Sequence, residues 1–348
     1  MEKIRVNAGA GYDVLIAPEL LRECGRLVKE ILPGAKKLAV VCDDTVDGLY
    51  SERVMRSLEG AGLHAVKYVF PHGEAHKNSV SYVKLLEFLS AERLSRTDAA
   101  IALGGGVTGD LTGFAAATYL RGISFFQAPT TLLAAVDSSV GGKTGINLPQ
   151  GKNLAGCFHQ PSAVICDTDT LKTLPPDVMA DGMGEVVKHA VLDGGELLAE
   201  LNRSGERNWE KIIALNVRIK SAIVERDERE ENIRKFLNLG HTVGHAIEKL
   251  SGYSVSHGKC VAAGVAYIAE LSLKKGFLNA AAYGGIINLL KQEGFKTACP
   301  YNAKELSKII LSDKKIGSGR LTFVMMRDIG DCFLHGIETD KIEEFLRT

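Results

Sequence analysis

The chain has 348 residues, 45% of them hydrophobic, and its 42 basic residues balance its 42 acidic residues. This length predicts about two domains with full cores, and the neutral balance argues against nucleic-acid partners and polybasic membrane surfaces. Seven scattered cysteines without a CxxC pair indicate reduced thiols in a cytoplasm. The sequence has no apolar signal core and no apolar run of about 18–20 residues, so we expect a cytoplasmic protein without a membrane partner.

The first half of the chain alternates short apolar runs with helical patterns. Strands are predicted at 37–42, 65–70, 99–103 and 123–128, and helices at 49–59, 79–92 and 110–120. Strands that alternate with helices predict a parallel sheet with right-handed crossovers, so the first half reads as a Rossmann-like α/β domain.

Helical patterns dominate after Leu174. Helices are predicted at 180–192, 209–228, 242–250, 260–275 and 284–292, followed by a hairpin at 321–326 and 332–335 and a helix from Asp340. The prolines Pro175 and Pro176 interrupt the pattern at the change. We therefore predict an α/β domain over residues 1–173 and a mainly helical domain over residues 174–348.

A glycine-rich loop follows the third predicted strand and opens a helix. It runs Gly104-Gly105-Gly106-Val107-Thr108-Gly109-Asp110. Glycines there let backbone N–H groups approach a phosphate at a helix N-terminus, which favours a dinucleotide pyrophosphate. The alternative is a tight strand-to-helix turn. Asp44, after the first predicted strand, could bind a ribose hydroxyl or act in a helix cap.

The segment from Pro129 to Asn153 combines small residues with charged ones. Asp137 and Ser138 precede Lys143, which follows two glycines, and Lys152 follows Gly151. Small residues bring the backbone close to a ligand, while lysines attract carboxylate or phosphate groups. A solvated loop is the alternative to a binding segment.

Histidines in the second half have metal-ligand spacing. His241 and His245 stand one helical turn apart, and His257 follows after a short turn. Such imidazoles could converge on a metal, or they could be capped or core histidines. Glu185, three residues before Lys188, is either half of a surface ion pair or a metal carboxylate. Further polar side chains precede the histidines at Lys220, Arg234 and Asn238.

Together these motifs resemble the 3-dehydroquinate synthases, a family of sugar phosphate cyclases. The matching segments are Gly104–Asp110, Tyr119–Gly122, Pro129–Ala134, Asp137–Asn147, Gly151–Asn153, Gly184–Lys188, Asp227–Glu230, Leu237–Glu248, His257–Gly258 and Asp313–Lys315. The resemblance implies an NAD-binding α/β domain followed by a helical metal domain, in a form without fused pathway domains. It also implies conversion of 3-deoxy-D-arabino-heptulosonate 7-phosphate to 3-dehydroquinate and phosphate, the second step of the shikimate route to aromatic amino acids.

The resemblance further implies roles for individual residues. The ligands of Zn²⁺ or Co²⁺ would be Glu185, His241 and His257, so that His245 would contact substrate. Lys143, Lys220 and Arg234 would hold the substrate carboxylate, and Asp137 and Lys188 would line the reacting hydroxyls. Those around the phosphate would be Lys152, Asn153, Asn238, His245, Lys314 and Lys315, with Arg121 from the neighbouring subunit of a homodimer. Those contacting NAD would be Asp44, Glu74, Lys77, Gly105, Gly106, Val107, Asp110, Thr130, Thr131, Ser138, Lys143, Lys152 and Thr173.

The same motifs are also compatible with other functions. Related cyclases make inosose or valiolone rings from substrates without a carboxylate, whereas Lys143, Arg234 and Asn238 favour a carboxylated one. A metal-dependent polyol dehydrogenase and a non-catalytic scaffold are more distant alternatives. The chain departs from the family pattern at Asp177-Val178, where Arg-Glu is common, and this departure argues against the family's cofactor contact at that point.

Overall fold

The computed structural model describes residues 1–313 and 319–347. It divides into two compact units, Met1–Pro175 with Asn208–Ser221, and Pro176–Arg207 with Ala222–Thr348. The predicted division after residue 173 differs from this grouping by two residues and by the segment Asn208–Ser221. That segment carries the buried residues Ile212, Ile213 and Val217. A helical pattern shows that one face is apolar but not which unit covers that face.

The first unit contains a seven-stranded sheet and a separate hairpin. The strands are β1 (Glu2–Val6), β2 (Tyr12–Ala17), β3 (Lys37–Asp43), β4 (His64–Phe70), β5 (Ala99–Gly104), β6 (Ser124–Pro129), β7 (Lys143–Leu148), β8 (Gly151–Phe158) and β9 (Ala163–Asp167). The sheet order is β1-β2-β9-β6-β5-β3-β4, and only the β1–β2 pair in it is antiparallel within the described residues. The predicted parallel α/β sheet is confirmed.

Helices bury both faces of this sheet. They are Cys24–Ile31, Glu52–Gly60, Ser79–Ala91 and Gly106–Thr118. Along β3, Val40 joins a core with Leu27 and Leu58, whereas Val41 joins a core with Leu89 and Leu111. Successive strand residues point to opposite faces, so a strand covered on both sides reads as one continuous apolar run. This is why the sequence locates β3 and β5 well.

The sequence does not predict β1, β2, β9 or the β7–β8 hairpin. Strands β7 and β8 are antiparallel, and Gly145 pairs with Gly156. A Cβ on Gly156 would collide with the carbonyl oxygen of Thr144, so the close pairing requires glycine. Because these strands are rich in glycine and β8 is largely exposed, they lack the apolar period that identifies a strand.

The second unit is mainly helical. Its helices are Pro176–Asp193, Glu196–Leu201, His241–Leu250, His257–Lys274, Ala280–Gln292, Ala303–Asp313 and Ile342–Leu346, and the helix Trp209–Arg226 enters it from the first unit. Strands β10 (Arg320–Asp328) and β11 (Asp331–Glu338) form the predicted hairpin. Within the described ranges, no helix has the length and apolar character needed to cross a membrane.

Glycines let three helices of the second unit approach closely. A Cβ on Gly184 would collide with the carbonyl oxygen of Gly258, and one on Gly258 with that of Asp181. Likewise, a Cβ on Gly264 would collide with the carbonyl oxygen of Gly240. The helices that begin at Pro176, His241 and His257 therefore pack backbone against backbone, which fixes the positions of residues beside these glycines.

We expect Gly258→Ala to destabilise the second unit by about 1–3 kcal/mol, because the added methyl has no room at the crossing. The matched control is Gly284→Ala in the helix Ala280–Gln292, where a Cβ meets nothing within 4 Å. Alanine should stabilise that helix by roughly 0.5–1 kcal/mol. Denaturant unfolding measures both changes, and equal stability of the two variants would show that the crossing tolerates a side chain.

Candidate active site

Glu185, His241 and His257 converge within the second unit. The Nε2 atoms of His257 and His241 lie 3.1 Å and 3.3 Å from Glu185 Oε1. The three side chains place their ligand atoms within 4.8 Å of one another. Two ligands held at about 2.0–2.1 Å by a tetrahedral Zn²⁺ are roughly 3.3 Å apart. The spacing therefore fits a divalent ion bound by one carboxylate and two imidazoles.

The second ring nitrogen of each histidine faces an acceptor. His241 Nδ1 lies 3.2 Å from the carbonyl oxygen of Leu239, and His257 Nδ1 lies 3.9 Å from Glu248 Oε2. An acceptor at Nδ1 favours the tautomer that presents the Nε2 lone pair to a metal. Both rings are thus oriented with Nε2 toward Glu185.

The charges around Glu185 favour its ionised form. Glu185 is completely buried, and Lys188 Nζ lies 2.5 Å from its Oε2. Burial raises the pKa of Glu185, but Lys188 and the two histidines together hold it well below its usual value. Burial likewise lowers the pKa of His257, but Glu185 and Glu248 outweigh this effect and raise it to about 10. The acidic surroundings thus stabilise positive charge at this centre.

A second group of possible ligands shares one histidine with the first. The ligand atoms of His245, Glu248 and His257 also lie within 4.8 Å of one another. His245 is exposed, whereas Glu185 is buried beside Lys188. We favour the Glu185 group as the metal site because a buried, ionised carboxylate is the stronger ligand for a cation. The spacing of His241 and His245 along one helix predicts a ligand pair from local sequence alone, whereas the Glu185 group combines ligands from three helices.

In the first unit, the glycine loop forms the turn between β5 and the helix Gly106–Thr118. A Cβ on Gly105 would lie 3.1 Å from Thr131 Cγ2, and one on Gly106 would lie 3.1 Å from Ser138 Oγ. Thr130 N donates to the carbonyl oxygen of Gly104 at 3.0 Å. The residues Val107, Thr130, Thr131 and Ser138, expected at NAD, therefore surround this helix N-terminus. Backbone N–H groups at such a turn suit a pyrophosphate.

A buried lysine links this turn to the β7–β8 hairpin. Lys77 is 4% exposed, and its Nζ donates to Asp110 Oδ2 and, at 2.6 Å, to Asn153 Oδ1. Burial raises the pKa of Asp110, and Lys77 opposes that shift. Asn147 Nδ2 donates to Glu74 Oε1 at 2.7 Å. One network of hydrogen bonds thus joins four residues that are expected to contact ligands, Glu74, Lys77, Asp110 and Asn153. The network also includes Asn147, which the sequence did not single out.

A second buried lysine holds Asp137. Lys220 Nζ lies 2.7 Å from Asp137 Oδ1 and donates to the Asp137 carbonyl oxygen at 2.6 Å. The two residues are 83 positions apart in the sequence, and the helical segment that carries Lys220 belongs to the first unit. Lys143 and Lys152 lie on the hairpin strands, and both are exposed.

Asp44 and Thr173 have protein partners of their own. Asp44 Oδ1 accepts from the backbone N of His72 at 3.1 Å and lies 2.7 Å from its Nδ1. The neighbouring residue Asp43, rather than Asp44, caps the following helix. Thr173 Oγ1 contacts the hydroxyl of Tyr50. Asp44 is thereby oriented at the carboxyl end of β3.

Arg234 and Asn238 are held by the acidic run that precedes them. Arg234 is 1% exposed, its backbone N donates to Asp227 Oδ2 at 3.0 Å, and its guanidinium donates to the carbonyl oxygen of Glu228. Asn238 Nδ2 donates to Glu230 Oε1 at 2.8 Å. Part of this charged run therefore contacts Arg234 and Asn238 rather than solvent alone.

Arg121 and Asp177 are two further positions that the sequence singled out. Arg121 is exposed and has a left-handed φ of 67°, next to Leu120 with a φ of 51°. Asp177, at the departure from the family pattern, pairs with Lys259 Nζ at 2.6 Å. Lys314 and Lys315 lie outside the described residues.

We expect Glu248→Gln to weaken Zn²⁺ binding by about 10- to 100-fold, the usual effect of removing a carboxylate behind a metal-binding histidine. Competition with a chromogenic chelator measures this affinity directly. Glu270→Gln is the matched control, because Glu270 forms only a surface ion pair with Lys274 in the described structure. Unchanged affinity in Glu248→Gln would mean that Glu248 does not orient His257.

An α/β unit with a glycine turn and a helical unit with a Glu–His–His centre define a class of nucleotide- and metal-dependent enzymes. Family models for the 3-dehydroquinate synthase N-terminal and C-terminal regions match residues 67–181 and 182–316. The chain belongs to the 3-dehydroquinate synthase family. The predicted family and its lyase activity are thereby confirmed.

Individual relatives agree with this assignment. The chain is 42% identical to the 3-dehydroquinate synthase of Streptococcus suis (strain 05ZYH33), with 99% of both chains covered. It is 40% identical to that of Picosynechococcus sp. (strain ATCC 27264 / PCC 7002 / PR-6), with 99% of this chain and 96% of the relative covered.

Solved structures share the fold. A 2-deoxy-scyllo-inosose synthase with carbaglucose-6-phosphate, NAD⁺ and Co²⁺ superposes with a TM-score of 0.88 at 23% identity, with 99% of both chains covered. The 2-epi-5-epi-valiolone synthase ValA from Streptomyces hygroscopicus subsp. jinggangensis 5008, with NAD⁺ and Zn²⁺ bound, superposes with a TM-score of 0.84 at 23% identity, with 96% of this chain and 95% of that one covered. The predicted fold class is confirmed.

Proposed function

We propose that this lyase converts 3-deoxy-D-arabino-heptulosonate 7-phosphate to 3-dehydroquinate and phosphate, a step toward aromatic amino acids, with NAD and a divalent metal as cofactors. Family membership over nearly the whole chain supports the reaction. The observation that carries the mechanism is the convergence of Glu185, His241 and His257 with spacing suited to one ion.

The cofactors would be held by residues already described. Glu185, His241 and His257 would hold Zn²⁺ or Co²⁺, which supplies Lewis-acid stabilisation of negative charge on a substrate oxygen. The glycine turn, with Asp44, Glu74, Lys77, Asp110, Thr130, Thr131, Ser138 and Thr173, would hold NAD, which accepts and returns a hydride so that no NADH accumulates. Lys188, paired with Glu185, maintains the ionised carboxylate that a metal site needs.

The chain's own cations would fix the substrate in one conformation. Arg234 and Lys143 would bind the carboxylate, and the planar, permanently charged guanidinium of Arg234 suits that geometry. Residues around the phosphate would be Lys152, Asn153, Asn238, His245, Lys314 and Lys315. Asp137, held by Lys220, would accept hydrogen bonds from the reacting hydroxyls. Such fixed charges lower the barrier by holding the reacting groups in place.

Turnover should require both cofactors. We expect phosphate release from the heptulosonate phosphate to stop when a chelator removes the metal, and Zn²⁺ or Co²⁺ to restore it. Omission of NAD from enzyme freed of nucleotide should also abolish release, while absorbance at the NADH wavelength stays constant during turnover. Full activity of metal-free enzyme would contradict the metal assignment, and steady NADH accumulation would favour a dehydrogenase.

Arg121 suggests a homodimer with shared sites. The Arg121 side chain is exposed, and two consecutive left-handed residues turn the chain there, a conformation that costs energy outside glycine. A two-fold dimer would let Arg121 of each subunit reach the substrate phosphate in the other.

We also place the protein in the cytoplasm, because all seven cysteines, which lie within the described residues, are free thiols.

Subunit mixing tests the shared site. Arg121→Ala and His257→Ala chains should each be nearly inactive alone. A heterodimer of the two would contain one site with both wild-type residues and one site with neither. When equal amounts of the two chains exchange at random, about half of the dimers are heterodimers. The mixture should therefore recover about a quarter of the wild-type activity. No recovery in verified heterodimers, or a strictly monomeric protein, would leave Arg121 with a role inside its own chain.

A further inference from the structure

Asn147 lies between two expected ligand-binding groups of the first unit and makes a hydrogen bond to each. Its Nδ2 donates to Glu74 Oε1 at 2.7 Å, and its Oδ1 accepts from the backbone N of Asn153 at 2.9 Å. Its own backbone N donates to the carbonyl oxygen of Lys77 at 2.8 Å. The Asn147 amide thus donates to Glu74, the expected NAD contact, which we call the NAD side. It accepts from Asn153, the expected phosphate contact, which we call the phosphate side.

The residue on the phosphate side depends on this support. Asn153 has a left-handed φ of 55°, a conformation that asparagine tolerates at some energetic cost. Its backbone N is bound by Asn147, and its Oδ1 accepts from Lys77 Nζ at 2.6 Å. With Oδ1 engaged by Lys77, the amide nitrogen of Asn153 is the side that can donate to an anion.

The residue on the NAD side is equally tied to Asn147. Glu74 lies in a short turn that also contains Lys77, and this turn contacts Asn147 through both side chain and backbone. A ligand that fixes Glu74 would hold the Asn147 amide in the orientation that supports Asn153. A ligand that fixes Asn153 would do the same for Glu74. Such mutual support is what makes two binding events cooperative.

We propose that Asn147 is a positioning residue that couples NAD binding to recognition of the substrate phosphate. The proposal rests on the proposed function, in which Glu74 contacts NAD and Asn153 contacts phosphate. Because coupling between two ligands is reciprocal, NAD should tighten the binding of phosphate by the same factor by which phosphate tightens the binding of NAD.

Calorimetry on the metal-loaded enzyme tests this coupling with NAD and inorganic phosphate as probes. The wild type should bind each probe roughly fivefold or more tightly when the other is saturating. In Asn147→Ala, both affinities should fall and the coupling factor should approach one. Asn147→Asp keeps the acceptor for Asn153 and loses the donor to Glu74, so it should retain more phosphate affinity than Asn147→Ala while its coupling is also lost.

A matched control separates coupling from general loosening of the fold. Asn202→Ala removes an exposed asparagine whose side chain bonds only Leu198 in the described structure, and it should leave both affinities and the coupling unchanged. Two results would overturn the role of Asn147 and leave the proposed function standing. One is unaltered coupling in Asn147→Ala, and the other is the absence of coupling in a wild-type enzyme that turns over. A wild-type enzyme that neither binds NAD nor releases phosphate from the heptulosonate phosphate would overturn the proposed function as well.

Discussion

The buried carboxylate of Glu185 is the constraint on which the second unit depends. Burying an ionised carboxylate is costly unless positive or hydrogen-bonding groups compensate for the lost water. Here Lys188, His241 and His257 compensate, and they come from three helices. Those helices reach the required distance because glycines remove the side chains at their crossings. The glycines are therefore part of the site, although none of them would touch a ligand.

In the first unit, polar side chains lie together at one edge of a buried sheet. The carboxyl ends of β3, β5 and β6 carry Asp44, the glycine turn and Thr130. In an open parallel sheet, this edge is where ligands bind. Lys77 then joins the helix after β5 to the β7–β8 hairpin. A buried ammonium surrounded by acceptors gives this edge a fixed geometry before any ligand arrives.

The fold by itself does not assign the reaction. The inosose and valiolone synthases share this architecture at 23% identity, and fold similarity alone is compatible with many chemistries. The residues expected to favour a carboxylated substrate are a few cations, chiefly Arg234. Arg234 is nearly fully buried, and Asp227 and Glu228 bind its backbone and guanidinium. Specificity in this chain is thus expected to reside in a short segment before the histidines rather than in the metal centre.

Sequence alone determined the class of the fold and the family, and it predicted the residues of the site. The apolar runs of β3 and β5 are buried on both faces, and the glycine turn opens a helix, so local patterns sufficed for these elements. Motif order identified the family and named Glu185 with His241 and His257.

The tertiary structure decided what local patterns do not encode. The β7–β8 hairpin is held by glycine pairing rather than by an apolar face, and Lys220 meets Asp137 from 83 residues away. In the sequence, nothing distinguishes the role of Asn147 from that of other asparagines. Only the folded chain places Glu74 and Asn153 on either side of it. Contacts of this kind depend on how distant segments pack, and a single sequence has no period or spacing that records them.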